Sequence, residues 1–231
     1  MAGERLLRIL AQLSPGDGAE PDTARLCEVS ADVCLMSGAG IMLMAGDVQQ
    51  GGVCSSNKVS AVIEDLQFTL GEGPCVDAFQ GDRPVLEPDL ADPGASRWAA
   101  FTPPAVKAGV RAVFGFPLQV GVVRLGALNL YRDQPGPLSG EQHADALVLA
   151  GVVARAVLAM QAQAPPGALA AELENGGNFR YLVHQASGMV AVQLGVGVGE
   201  ALIRLRAYAF GNDRLLDEVA DEVVGRQLRF A

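Results

Sequence analysis

Residues 180–194 read Arg180-Tyr-Leu-Val-His-Gln-Ala-Ser-Gly-Met-Val-Ala-Val-Gln-Leu194, and the remainder of the chain to Ala231 continues in the same pattern. Apolar residues recur at three- and four-residue steps: Leu182, Ala186, Met189 and Val190, then Leu202, Leu205 and Ala209, then Leu216, Val219, Ala220 and Val223. This spacing predicts three amphipathic helices, Arg180 to Leu194, Gly199 to Asn212 and Leu215 to Arg229. Each is too short to stand alone in water, so the three must pack on one another or on a partner. Gly195 suits the left-handed residue that ends the first helix. Gly197 is placed to cap the second, with Glu200 as the carboxylate of a capping box. Asp217 and Glu218 fall in the first turn of the third, where the helix dipole favours negative charge.

Four motifs in these residues share one register: His184-Gln-Ala-Ser-Gly-Met-Val190, Leu194-Gly-Val-Gly-Val-Gly-Glu-Ala-Leu202, Arg204-Leu-Arg-Ala-Tyr-Ala209 and Leu216-Asp-Glu-Val-Ala220. Together they resemble an ANTAR domain, a three-helix RNA-binding module. That resemblance implies recognition of paired stem-loops in nascent transcripts, which keeps a terminator hairpin from forming. The family often has Lys where this chain has Ser187, and Ser where it has Gly197. The first departure removes a charge able to reach phosphate.

Composition sets bounds on the rest. The chain has 231 residues, half of them hydrophobic, and a formal charge of −9. That length suits one large domain or two smaller ones. Residues 1–179 hold 11 Lys and Arg against 20 Asp and Glu, while residues 180–231 hold six of each. An acidic chain does not bind nucleic acid by bulk charge, so any RNA contact must come from a local face. Between residues 180 and 214 four arginines stand against Glu200 and Asp213. The N-terminus lacks the apolar block of a signal peptide, and no run suggests a membrane span. A cytoplasmic protein without membrane contact is expected. Cys27 and Cys34 lie two helical turns apart, about 10 Å, too far to bond. Buried free thiols at Cys27, Cys34, Cys54 and Cys75 in a reducing compartment are the expectation.

Read in order, residues 3–13 predict a lead helix, broken by Ser14-Pro-Gly-Asp-Gly18. A second helix runs from about Asp22 to Met36. Strands follow near Ile41–Met44 and Val53–Ser55, then a helix over Val59–Phe68. Val85-Leu-Glu87 is a short strand between Pro84 and Pro88. Trp98 to Ala108 is helical, restarted by Pro103 and Pro104. Val110–Leu118 and Val122–Tyr131 form a hairpin around Gly121. A long helix, Gly140 to Gln161, is capped by Ser139 with Gln142 three residues on. The expected class is α+β: one antiparallel sheet flanked by helices, followed by an all-α three-helix module. Residues 1–162 form the first domain, 163–178 a linker marked by Pro165-Pro166 and Gly176-Gly177, and 179–231 the second.

The first domain carries Thr69-Leu-Gly-Glu-Gly-Pro-Cys-Val-Asp-Ala78, Ser96-Arg-Trp98, Gly115-Phe-Pro-Leu118 and Leu125-Gly-Ala-Leu-Asn-Leu-Tyr131. It resembles a GAF domain, and the pairing with an ANTAR-like tail is similar to actinobacterial antitermination regulators. The resemblance implies a small-molecule sensor or dimerisation domain, with Cys75, Trp98, Phe114 and Phe116 as candidate pocket residues. Cyclic-nucleotide-binding members carry Asn-Lys, Phe and an Asp-Glu pair. This chain has Asn57-Lys58 and Phe68 but Gly71-Glu72 in place of the acids. Bilin-binding members place a Cys beside a His, and no Cys here has that neighbour.

No catalytic, metal-ligating or cofactor motif stands out, so neither an enzyme nor a bound cofactor is expected. The glycines of residues 195–199 imitate a dinucleotide fingerprint but follow a helix rather than a strand. Candidate RNA contacts are Arg180, His184, Gln185, Ser187 and Gly188 on the first helix, Arg204, Arg206 and Tyr208 on the second, and Arg214 beyond it. Arg180, His184, Ser187, Gly188 and Ala191 share one stripe opposite the apolar set. Gly188 inside a helix costs about 1 kcal/mol against Ala, compensated either by a close nucleotide backbone or by a tightly packed helix. The expected partners are RNA stem-loops, a second copy of the chain paired through the long helix, and a small molecule in the first domain. The alternative is a sensing module whose helical tail binds protein.

Overall fold

The computed structural model describes residues 2–13, 23–46, 48–92, 97–162 and 178–231. Runs of β-branched and long apolar residues between turn glycines build six antiparallel strands: β1 (Gly38–Ala45), β2 (Val48–Ser55), β3 (Val85–Glu87), β4 (Ala112–Val120), β5 (Val123–Arg132) and β6 (Asn178–Phe179). Their order across the sheet is β3-β4-β5-β1-β2-β6. The β4–β5 hairpin turns at Gly121, whose φ of +59° is one that glycine adopts without a steric penalty. Strand β6 pairs Phe179 with Gly51 and Asn178 with Gly52, bringing the chain back to the β2 edge before the C-terminal helices.

The pleat sends alternate residues to opposite faces. Ile41, Leu43, Phe114, Phe116, Leu128 and Leu130 face a layer made of α1 (Ala2–Leu13), α2 (Thr23–Cys34) and α6 (Gly140–Gln161). Met42, Met44 and Ala127 face the other way, toward α3 (Lys58–Leu70) and α4 (Pro74–Gly81). On that same face lie α7 (Tyr181–Leu194), α8 (Val198–Gly211) and α9 (Leu216–Val224). A third cluster gathers Trp98, Phe101, Val113 and Tyr131 with α5 (Thr102–Lys107).

Several local expectations hold. Ser139 and Gln142 form the capping box that starts α6. Gly195 ends α7 with φ +66°. Others change. Pro74 starts a helix, α4, absent from the sequence reading, at a position where its missing N–H costs nothing, and Cys75 sits in its first turn. Helix α2 stops at Cys34, and Gly38 to Gly40 already belong to β1. Helix α9 ends at Val224, short of Arg229. Glu200 makes no capping bond and pairs instead with Arg204 one turn on, at 3.0 Å. The linker assigned to 163–178, the break at 14–18 and Ser96 lie outside the described residues, Asn178 excepted.

Two readings are corrected. Helix α6 is long and apolar enough to cross a membrane, contrary to the expectation that no run is. Its Ala146, Leu149, Val153 and Val157 are buried in the core of the sheet layer, which accounts for that composition. Cys27 and Cys54 are also not free thiols. They form a disulfide joining α2 to β2 across 27 residues of sequence. Cys34 and Cys75 are free and buried. Burial, with Asp145 nearby, pushes the Cys34 thiol up to about 12, and burial also raises Cys75. The reducing-compartment reading rested on four free thiols and loses that support.

Candidate functional site at the seam between sheet and C-terminal helices

Helix α3 presents Glu64, Asp65 and Phe68 within one and a half turns, and these organise the contact with the C-terminal module. Phe68 is buried, and three cationic or titratable side chains from that module surround its ring. The guanidinium carbons of Arg180 and Arg206 lie 5.7 and 5.4 Å from the ring centroid. The His184 ring meets it edge-on at 5.8 Å. Each cation faces the negative π-cloud in a desolvated place, where such contacts are strongest.

Hydrogen bonds complete the seam. Arg180 donates to Asp65 at 2.8 Å and also pairs with Asp217 of α9. Burial alone would lower the Arg180 pKa, but the bonds to both carboxylates outweigh it and hold it above its ordinary value. The Nε2 of His184 lies 2.9 Å from the Gln50 carbonyl oxygen. Arg206 donates through Nη2 to Oε1 of Gln49 at 2.7 Å. Unlike Arg180, Arg206 pairs with no carboxylate among the described residues, and its buried Nε has no partner. Desolvation without compensating charge pulls its pKa down to about 10. Gly71 ends α3 in the left-handed region, φ +69°, directly under this guanidinium. A Cβ at Gly71 would lie 2.8 Å from Arg206 Nη1.

A second polar group lies deeper, between α3 and the sheet. Glu64, Gln67 and Asn129 are all buried. By hydrogen-bond geometry both carboxyl oxygens of Glu64, both amide atoms of Asn129 and Nε2 of Gln67 lack a partner among the described residues, although the Asn129 amide is near enough to the carboxyl to favour its charged form. Burial pushes the Glu64 carboxyl up to about 8, against the pull of the Asn129 amide, so it is protonated at neutral pH. Glycine at position 40 makes room for this side chain, since a Cβ there would lie 2.5 Å from Glu64 Oε1. Gln67 also accepts the backbone N–H of Cys75 at 2.7 Å, which ties α4 to the same group.

The sequence-predicted RNA residues are divided by this arrangement. Arg180, His184 and Arg206 are held in the seam. Ser187 is fully buried and its hydroxyl donates to the Val183 carbonyl at 2.7 Å. Ala191 is buried too, so the predicted stripe is rotated: Val183, Ala186, Ser187, Val190 and Ala191 form the bundle face of α7. The outward stripe is Tyr181, Gln185, Gly188 and Val192. Around Gly188 no atom would meet a Cβ within 4 Å, so tight helix packing does not explain that glycine. Arg204 is exposed beside Glu200, Tyr208 packs against Phe230, and Arg214 pairs with Glu222 at 2.8 Å.

The predicted pocket set also separates. Cys75 lies in the seam cluster, and Trp98 donates to Asp77 in the third cluster. Phe114 and Phe116 point to the opposite face of the sheet, toward α6, with the Phe116 ring tilted against that of His143 at 5.7 Å. The two-residue period of β4 puts Val113 and Gly115 on the α4 side instead. Sequence reasoning missed Gln49, Glu64 and Asp65. Their one visible signal was the placement of Asp65 and Phe68 three residues apart, on one face of α3. Among the described residues no cluster of His, Cys, Asp and Glu could hold a metal ion.

An antiparallel sheet between two helical layers, with α3 and α4 on one face, is the fold of a GAF domain. Among solved structures, the chain is similar to the GAF domain of a phosphoenolpyruvate-protein phosphotransferase from Coxiella burnetii. The TM-score is 0.52 at 14% identity, covering 70% of this chain and 95% of that one. It is similar also to the GAF domain of the Acinetobacter phosphoenolpyruvate-protein phosphotransferase, with a TM-score of 0.51 at 16% identity over 70% and 96%. At these identities the likeness speaks for the fold. No family model matches the sequence, and no curated protein does.

Proposed function

We propose that this chain is a signal-responsive RNA-binding regulator of the antitermination type. Its GAF-fold half senses a small molecule, and α7–α9, which resemble an ANTAR domain, bind RNA stem-loops. The observation that carries the reading is the seam. Three of the candidate RNA contacts, Arg180, His184 and Arg206, are held by Asp65, the Gln50 carbonyl and Gln49 of the sensor half. Undocking the module frees all three side chains at once, beside the open stripe of Gln185 and Gly188. Docked, the chain is a poor RNA binder; released, it is a good one. The polar atoms of Glu64, Asn129 and Gln67 Nε2 that lack a geometric partner among the described residues supply the sensing side, because a ligand with matching donors and acceptors would satisfy them. Self-association belongs to the same reading. Leu7 and Leu10 of α1 and Leu147 of α6 are exposed apolar residues of the helical layer.

A gel shift with a tandem stem-loop RNA tests this. Asp65→Ala weakens the seam and is expected to tighten binding about tenfold. Arg204→Ala is expected to weaken binding and reduce the salt slope by about one. If neither the wild type nor Asp65→Ala shifts any stem-loop, the RNA reading fails. The second reading, a tail that binds protein, is favoured by the exposed Ile203 and Phe210 on α8. It gains ground under that same outcome.

A further inference from the structure

Two clefts run along the seam, and Arg206 lines both. The larger, about 580 Å³, lies between the end of α3 and the outer face of α8. That volume is within the range of small-molecule sites, roughly 300–1,000 Å³. Leu70 and Ala100 form one wall, and Ile203, Ala207 and Phe210 the other. Ile203 and Phe210 are 61% and 72% exposed, a wide apolar opening for a solvent-facing helix. At the inner end is Arg206, whose buried Nε has no partner and which pairs with no carboxylate among the described residues. The acids that line this cleft do not supply that balance. Glu72 accepts the backbone N–H groups of Ala100 and Phe101, both at 2.7 Å, and Asp213 lies in the exposed turn after α8. Arg214 is already paired with Glu222.

We propose that this cleft binds an amphipathic organic anion, with its acid group on Arg206 and its apolar body between Leu70 and Phe210. A carboxylate or phosphate ester there restores the charge balance that burial denies to the guanidinium, and an apolar tail covers the side chains that α8 leaves open. The site is built from both halves of the chain, so its ligand binds the docked form and stabilises it by mass action. Such a ligand lowers RNA affinity, a consequence that rests on the function proposed above; the binding itself does not.

The test is calorimetric titration of the full chain with 4-phenylbutanoate and decanoate. Controls are 4-phenylbutan-1-amine, 4-phenylbutan-1-ol, acetate and inorganic phosphate. The two tailed acids are expected to bind and to raise the melting temperature. Arg206→Gln weakens them about tenfold or more, the scale of one lost charged hydrogen bond. Ala207→Trp fills the cleft and abolishes binding while leaving Arg206 in place. Circular dichroism confirms that both variants fold. Four results overturn the proposal: no heat from either acid at millimolar concentration; equal binding of the amine or alcohol; unchanged affinity in a folded Arg206→Gln or Ala207→Trp; or phosphate binding as tightly as the tailed acids. No RNA enters these measurements. A gel shift that is insensitive to a bound acid would remove the regulatory consequence and leave the site standing.

Discussion

Glu64→Gln isolates the energetic role of the buried polar group. The Glu64 carboxyl is displaced from 4.5 to about 8 by burial between α3 and the sheet. Between these two values the folded chain holds a proton that the unfolded chain releases. The unfolded state therefore binds fewer protons, and stability falls as pH rises, by about 1.4 kcal/mol per pH unit for one group. The loss begins above about 4.5 and levels off above about 8. At pH 7 the accumulated cost is about 3 kcal/mol. Glutamine keeps the shape and has no proton to lose, and its amide can donate toward Asn129. The variant is expected to match the wild type near pH 4.5 and to exceed it by about 3 kcal/mol at pH 7. Urea titrations at several pH values, read by fluorescence of Trp98, measure the difference. Trp98 is the one tryptophan of the chain and is buried in the GAF-fold part, so it reports the right region. A gap that stays constant with pH, or widens toward acid, refutes the assignment of a protonated Glu64.

Two further substitutions or treatments probe the rest of the molecule. Ser187→Lys places an ammonium in the buried face of α7. A loss of about 3 kcal/mol is expected in thermal melts, with no gain in RNA affinity. Undiminished stability with tighter RNA binding would show that position 187 faces outward. Reducing the Cys27–Cys54 disulfide opens a loop of 27 residues and is expected to lower stability by about 3–4 kcal/mol in the chain-entropy model. Urea midpoints that do not move, while titratable thiols rise from the two of Cys34 and Cys75 to four, would count against that bond as a stabilising link.

Periodicity and punctuation in the chain were enough to show three short helices after residue 180, the long α6 with its Ser139 cap, the β4–β5 hairpin and an antiparallel α+β core. These are local properties, set by residues a few positions apart, and they can be read directly. The same evidence could not say which face of α7 turns inward. Val183, Ser187 and Ala191 compete with Leu182 and Met189 for that role, and the fold buries the first set and covers the second only in part. Nor could it show that Cys54 meets Cys27, that Phe114 and Phe116 face α6, or that Arg180, His184 and Arg206 close around Phe68. Each of those depends on residues tens to more than a hundred positions apart. Only the folded sheet brings them within a few ångströms, and it is that proximity that turns ordinary surface arginines into a desolvated, partly unbalanced seam.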